Sequence, residues 1–143
     1  LLVSILSLFT VVDAKGKVKY DSGELLRWLG ESILYPTNLL PSDRLQWFPI
    51  DSNSAKLNFS YNGLSLFFIF TFNENGEITE METKRYMGED SLETWVIKAT
   101  KYKELNNIMI PTYFDVLWRL EKGDFSYARF NITEIEYNIP QKF

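Results

Sequence analysis

Neither cysteine nor histidine occurs among the 143 residues. Their absence excludes disulfides, thiolate nucleophiles, cysteine-ligated zinc and the imidazole that most often moves protons near neutral pH. Basic residues are outnumbered, 15 Lys and Arg against 19 Asp and Glu, for a net charge of −4. Binding to a phosphate backbone needs clustered cations that release counterions, so a nucleic-acid partner is set aside. The densest basic run, Lys98-Ala-Thr-Lys101-Tyr-Lys103, reads as one solvated face of a strand. Long apolar runs are missing too: Leu1 to Val12 falls short of the roughly 20 residues that a membrane helix needs.

What the chain has in quantity is aromatic surface, 16% of residues, with Trp28, Trp47, Trp95 and Trp118 spread along its length. Each large ring can bury on the order of 150–250 Å², so a core built on ring packing is expected. The length suits one domain spanning residues 1–143. Val3 to Val11 is rich in β-branched and large apolar residues and reads as a strand, with Asp13-Ala-Lys-Gly16 as the turn after it. The competing reading is the core of a signal peptide, with Val12-Asp13-Ala14 as a small-residue cleavage site, but no basic segment precedes it. A chain that opens in mid-strand without Met is expected to be the C-terminal part of a longer protein whose first strands lie upstream.

A helix is expected over Asp21–Leu34. Asp21 is placed to cap it, Glu24 follows three residues on as in a capping box, and Leu25, Leu26, Leu29 and Ile33 fall on one face. Pro36 and Pro41 end it. The apolar period then changes to two, giving strands at Leu45–Ile50, Ala55–Tyr61, Leu64–Phe72, Ile78–Met87, Thr94–Glu104, Thr112–Leu120 and Ser126–Asn138. Asn62-Gly63 fits a two-residue type I′ hairpin, and Asn73-Glu-Asn-Gly76 and Glu121-Lys-Gly-Asp124 fit slightly longer ones. The expected fold is mainly β: a curved antiparallel meander, a half-barrel, with one amphipathic helix on its concave face. Leu64–Phe72 is apolar on both faces and is expected to be covered on both.

A set of motifs carries a family resemblance: Gly23-Glu-Leu-Leu-Arg-Trp-Leu-Gly-Glu31, Pro36-Thr-Asn-Leu-Leu-Pro41, Trp47-Phe-Pro-Ile-Asp51, Phe70-Thr-Phe-Asn-Glu-Asn-Gly76, Arg85-Tyr86, Tyr102-Lys-Glu104, Ile110-Pro111, Trp118 and Ile132-Thr-Glu-Ile-Glu-Tyr-Asn138. From about Leu6 to Asn138 the chain resembles an uncharacterised bacterial and archaeal family of unknown function. The resemblance implies a longer protein, sometimes with a membrane-anchoring helix before the point where this chain begins, and no established activity. By analogy it implies a fold similar to the half-barrel of the lipoprotein-localisation carriers, which wrap an apolar cavity for acyl chains. Membrane association through an upstream segment, and a place in the cell envelope, follow as expectations from it.

Candidate chemistry is sparse. Glu80 with Glu82 and Glu134 with Glu136 are spaced i,i+2 on strand faces, but Lys84 continues the first pair as a charge ladder and nothing suggests the burial that acid–base work needs. Asn73 to Glu77 offers oxygens for calcium, yet Thr71 stands where the loop needs its first carboxylate and the flanks are strands. Asn58-Phe-Ser60 and Asn131-Ile-Thr133 match the glycosylation sequon inside strands. No pattern asks for a cofactor or a metal. Arg85, Arg119 and Arg129 lie beside aromatics and could pair with strand carboxylates such as Asp115 or Glu80, or hold a polar headgroup. The reading is a non-catalytic module for a hydrophobic or lipid-like ligand, with Leu25, Leu29, Ile33, Phe68, Phe70, Arg85, Trp95 and Trp118 at the site. Against it stand ordinary core packing of those residues, a domain that docks a protein partner through an apolar surface, and an enzyme working with carboxylates and tyrosine.

Overall fold

The computed structural model describes residues 2–5, 9–13, 18–88 and 90–138, with side chains from residue 18 onward. Two strands open the chain, β1 (Leu2–Ile5) and β2 (Phe9–Asp13), paired as an antiparallel hairpin. The single strand expected over Val3–Val11 is thus divided, because a β-rich run reads the same whether or not it turns back on itself. The turn expected at Asp13 to Gly16 lies largely outside the described residues.

Helix α1 (Val18–Glu31) follows, extended by a 3₁₀ turn at Ser32–Leu34 and a second at Pro36–Leu39. Asp21 lies inside the first helical turn and is not the cap, since the helix begins three residues earlier. As an acidic residue in the first turn it still suits the positive end of the helix dipole. Leu26, Leu29 and Ile33 are buried on one face, as the 3.6-residue period requires.

Seven further strands form one antiparallel sheet: β3 (Leu45–Pro49), β4 (Ser54–Tyr61), β5 (Leu64–Phe72), β6 (Ile78–Met87), β7 (Ser91–Leu105), β8 (Ile108–Leu120) and β9 (Gly123–Asn131). Each pairs with its neighbour in sequence, so the sheet is a meander from β3 to β9. Asn62 (φ 47°) and Gly63 (φ 79°) make the β4–β5 hairpin, and Asn106 (φ 53°) with Asn107 (φ 61°) makes the β7–β8 hairpin. The Asn73 carboxamide oxygen accepts from the N–H groups of Asn75 and Glu77 at 3.0 Å each and holds the β5–β6 turn.

The helix lies on the sheet face that carries Leu57, Phe59, Phe68, Phe70, Met81 and Trp95, and packs chiefly against β5 and β6. Phe68 and Phe70 have no exposure, and burying such a ring stabilises by about 1.5–3 kcal/mol. The second 3₁₀ turn is tied down by Trp47, whose indole N–H donates to Leu39 O at 2.9 Å while its ring meets Phe70 at 4.8 Å. On the opposite, convex face Phe67 and Ile69 are half-buried. There the Lys56 ammonium lies 4.8 Å from the centre of the Phe67 ring.

Two irregularities shape the sheet. β5 and β6 pair only from Ile69 to Phe72, and where the ladder stops the buried Thr83 hydroxyl donates to Phe67 O at 2.5 Å. In β9 the register shifts at Tyr127, since Leu117 faces Ser126 while Val116 faces Ala128. β9 also ends at Asn131, short of the expected Asn138. After one more bond, from Ile132 N–H to Thr112 O at 2.7 Å, the chain leaves the sheet and crosses to the helix end. There the Tyr137 hydroxyl donates to Leu34 O at 2.7 Å and its ring meets Tyr35 edge-on at 5.9 Å.

Candidate binding groove

The helix covers only part of the concave face. Over β3 to β6 the space beneath it is filled by side chains, whereas over β7 to β9 a groove of about 540 Å³ stays open. One wall is the C-terminal half of α1 and the 3₁₀ turn after it, through Gly30, Glu31, Ile33 and Leu34. Trp95 and Ile97 of β7 and Phe114 and Val116 of β8 form the floor. The other wall is Tyr127, Ala128 and Phe130 of β9, with Ile132 at the far end.

Local structure explains each part. The helix sits so close to β7 at Gly30 that a Cβ there would lie 2.6 Å from Ile97 Cδ1, inside van der Waals contact. The bulge in β9 turns two consecutive side chains, Tyr127 and Ala128, toward the concave face. Tyr127 stacks on Trp118 at 6.1 Å and its oxygen accepts the Trp95 indole N–H at 2.8 Å. Phe130 is 52% exposed and Tyr127 46%, large apolar surfaces left in contact with water beside the groove. The chain beyond β9 ties the far end to the helix through Tyr137, whose phenol is held above its ordinary pKa by burial and by the neighbouring Tyr35.

The polar groups are few and unequal. Arg27 on the rim is held by Glu24 at 3.2 Å and Glu31 at 3.6 Å. On the convex face Arg119 is clasped by Glu80 at 3.0 Å, Glu82 at 2.6 Å and Asp124 at 3.7 Å, and its pKa is raised first by the Glu80 hydrogen bond. Arg129 meets Asp115 at 3.5 Å. Arg85 is different. Its guanidinium lies 4.6 Å from the Trp95 ring centre, beneath Gly23, and no carboxylate among the described residues pairs with it. It divides the groove from a smaller depression of about 210 Å³ bounded by Lys19, Tyr20, Glu24 and Tyr86.

Over residues 1–137 the sequence matches the model of a family of unknown function, DUF6920. The chain belongs to this family. No curated protein and no solved structure matches it.

Within this DUF6920 chain the eight residues singled out from sequence fall into two groups. Ile33, Arg85 and Trp95 border the groove. Leu29, Phe68 and Phe70 are sealed in the core under the helix, Leu25 packs against that core, and Trp118 is buried behind Tyr127. The rest of the lining, chiefly Ile97, Phe114, Val116, Tyr127, Ala128, Phe130 and Ile132, was not anticipated. The alternation of Phe114 with Val116 and of Ala128 with Phe130 could have pointed to one shared face, but nothing in the sequence announces the bulge that adds Tyr127. Among the described residues no three metal-ligating side chains converge, and no helix is long and apolar enough to cross a membrane.

Proposed function

We propose that the chain is a non-catalytic binding module that holds a hydrophobic, lipid-like ligand in the groove between the helix end and β7–β9. The observation that carries this reading is an open apolar groove of about 540 Å³ with few polar groups. Small-molecule sites typically measure about 300–1,000 Å³ and pair an apolar lining with a few placed polar groups. The analogy with half-barrel acyl-chain carriers is consistent with it, although a fold by itself does not fix a function.

Native mass spectrometry of the purified protein, followed by solvent extraction of whatever it carries, tests the proposal. A near-stoichiometric lipid, or uptake of an added one that fails after Ala128→Trp fills the groove, supports it. A bare protein that takes up no added lipid sinks it. One observation favours a second reading: Phe125, Tyr127 and Phe130 all stand exposed on β9, the edge of the sheet. Exposed aromatics on an edge that no described strand pairs with suit a protein that docks there by strand addition. Concentration-dependent self-association or partner capture abolished by Phe125→Ser would favour that reading.

A further inference from the structure

The groove is not uniform along its length. Its near end holds Arg85, the Trp95 indole and the Tyr127 hydroxyl, whereas its far end is lined by Ile33, Leu34 and Ile132. The register sets the distance between them. Trp118 is opposite Trp95, and Thr112 O receives the Ile132 N–H. Those two levels are separated by about 20 Å along β8 at roughly 3.4 Å per residue.

Two hydrogen-bond donors at the near end lack an acceptor among the described residues. The Arg85 guanidinium rests on the face of Trp95 with no carboxylate partner. The Tyr127 oxygen accepts from Trp95 Nε1, which leaves its own proton free to donate. Both groups are anchored on one indole, which is itself buried and therefore fixed in place. Arginine held over a ring keeps its fork of N–H groups available for a planar or tetrahedral anion.

Resting on the ligand-binding reading above, we propose that the ligand is a single-chain amphiphile with an anionic head, carboxylate or phosphate monoester. Its head is bound by Arg85 and Tyr127, and its tail runs along Ile97 and Val116 toward Ile132. Size agrees with one chain. At about 30 Å³ for each water-sized group, the groove takes roughly 18 non-hydrogen atoms, enough for one acyl chain and its head. Glu31, on the lining, is held on the rim by Arg27, and Glu93, the cross-strand neighbour of Arg85, accepts from the Ser91 hydroxyl at 2.5 Å and makes no ion pair with Arg85.

Calorimetric titration with tetradecanoate, tetradecyl phosphate and tetradecanol separates this inference from the reading beneath it. One anion is expected to bind about tenfold more tightly than the alcohol, the value of one charge-assisted hydrogen bond. That ratio is expected to fall to about twofold or less in Arg85→Met and to shrink in Tyr127→Phe. Preference for the carboxylate would identify a fatty acid, and preference for the phosphate a phosphate monoester. Equal binding of acid and alcohol to the unaltered protein overturns the anionic head but leaves the groove reading standing. A preference that persists undiminished in both variants overturns the assignment to Arg85 and Tyr127. Failure of all three compounds to bind overturns the groove reading itself.

Discussion

Replacing Gly30 by Ala tests how the helix is seated. Near the end of a helix Ala is favoured over Gly by up to roughly 0.5–1 kcal/mol, so on propensity alone the substitution stabilises. Here the new Cβ would stand 2.6 Å from Ile97 Cδ1, and either the helix lifts or Ile97 leaves its rotamer. Overpacking of that kind costs about 1–3 kcal/mol, which outweighs the propensity gain and gives a net loss of about 1 kcal/mol. Ile97→Val alone is expected to cost about 0.5–1.5 kcal/mol as a deleted buried methyl. In the Gly30→Ala background the same deletion removes the atom that clashes, so it should be neutral or stabilising. Urea denaturation of the four proteins gives the coupling, expected at about 1–2 kcal/mol in favour of the double variant. Additivity within about 0.5 kcal/mol would refute the close approach of α1 to β7, and with it the position of the groove wall.

Three further outcomes follow from the same geometry. Phe68→Ala, in the sealed core, should cost about 3–5 kcal/mol, while Phe130→Ala at the groove rim should cost under about 1 kcal/mol; denaturant melts showing equal losses would contradict this division between core and groove. The Tyr102 phenol is pushed above its ordinary pKa, first by burial and then by the charge of Glu77, and it donates to Ile78 O at 2.7 Å. Because the folded state keeps that proton, the stabilisation is complete below the unfolded value of about 10 and declines as pH rises past it; Tyr102→Phe should flatten the alkaline limb of stability against pH, and an unchanged limb would exclude Tyr102 as its source. Arg119→Met strands Glu80, Glu82 and Asp124 beside one another and should destabilise by about 1 kcal/mol at low ionic strength and less in high salt, with a salt-independent loss arguing for packing instead.

Much of this fold is legible in the sequence because its strands are contiguous hairpins. Asn62-Gly63 and Asn73 to Gly76 announce their turns by chemistry, and in β4 the alternation of Leu57 and Phe59 with Lys56, Asn58 and Ser60 marks the face that meets the helix. The errors have identifiable causes. Asp21 resembles a cap, but capping signals compete with any upstream residue able to extend the helix. Ile132, Ile135 and Tyr137 continue an apolar pattern that a docked extended segment satisfies as well as a strand does, so β9 looked longer than it is. The site was harder to read than the fold. An apolar residue under a helix and an apolar residue beside one carry the same signal, which is why Phe68 and Phe70 were grouped with Trp95. Arg85 could be identified only as an arginine near aromatics: strand register sets Glu93 directly opposite it, yet its guanidinium lies over Trp95, whereas Arg119 and Arg129 meet carboxylates.

The purely sequential order of the sheet bears on how the protein comes into being. Every ladder joins neighbours along the chain, so each hairpin can form soon after its own residues are available, without waiting for distant segments. The tie from Tyr137 to Leu34 is of another kind, spanning 103 positions. During synthesis the helix and six strands can settle before β9 and the segment behind it exist. Among the described elements the groove is therefore the last to be finished, and its floor stays open on one side until then. Pulse-labelled hydrogen exchange should find β4–β7 amides protected before the Ile132 N–H, and the reverse order would contradict this sequence of events.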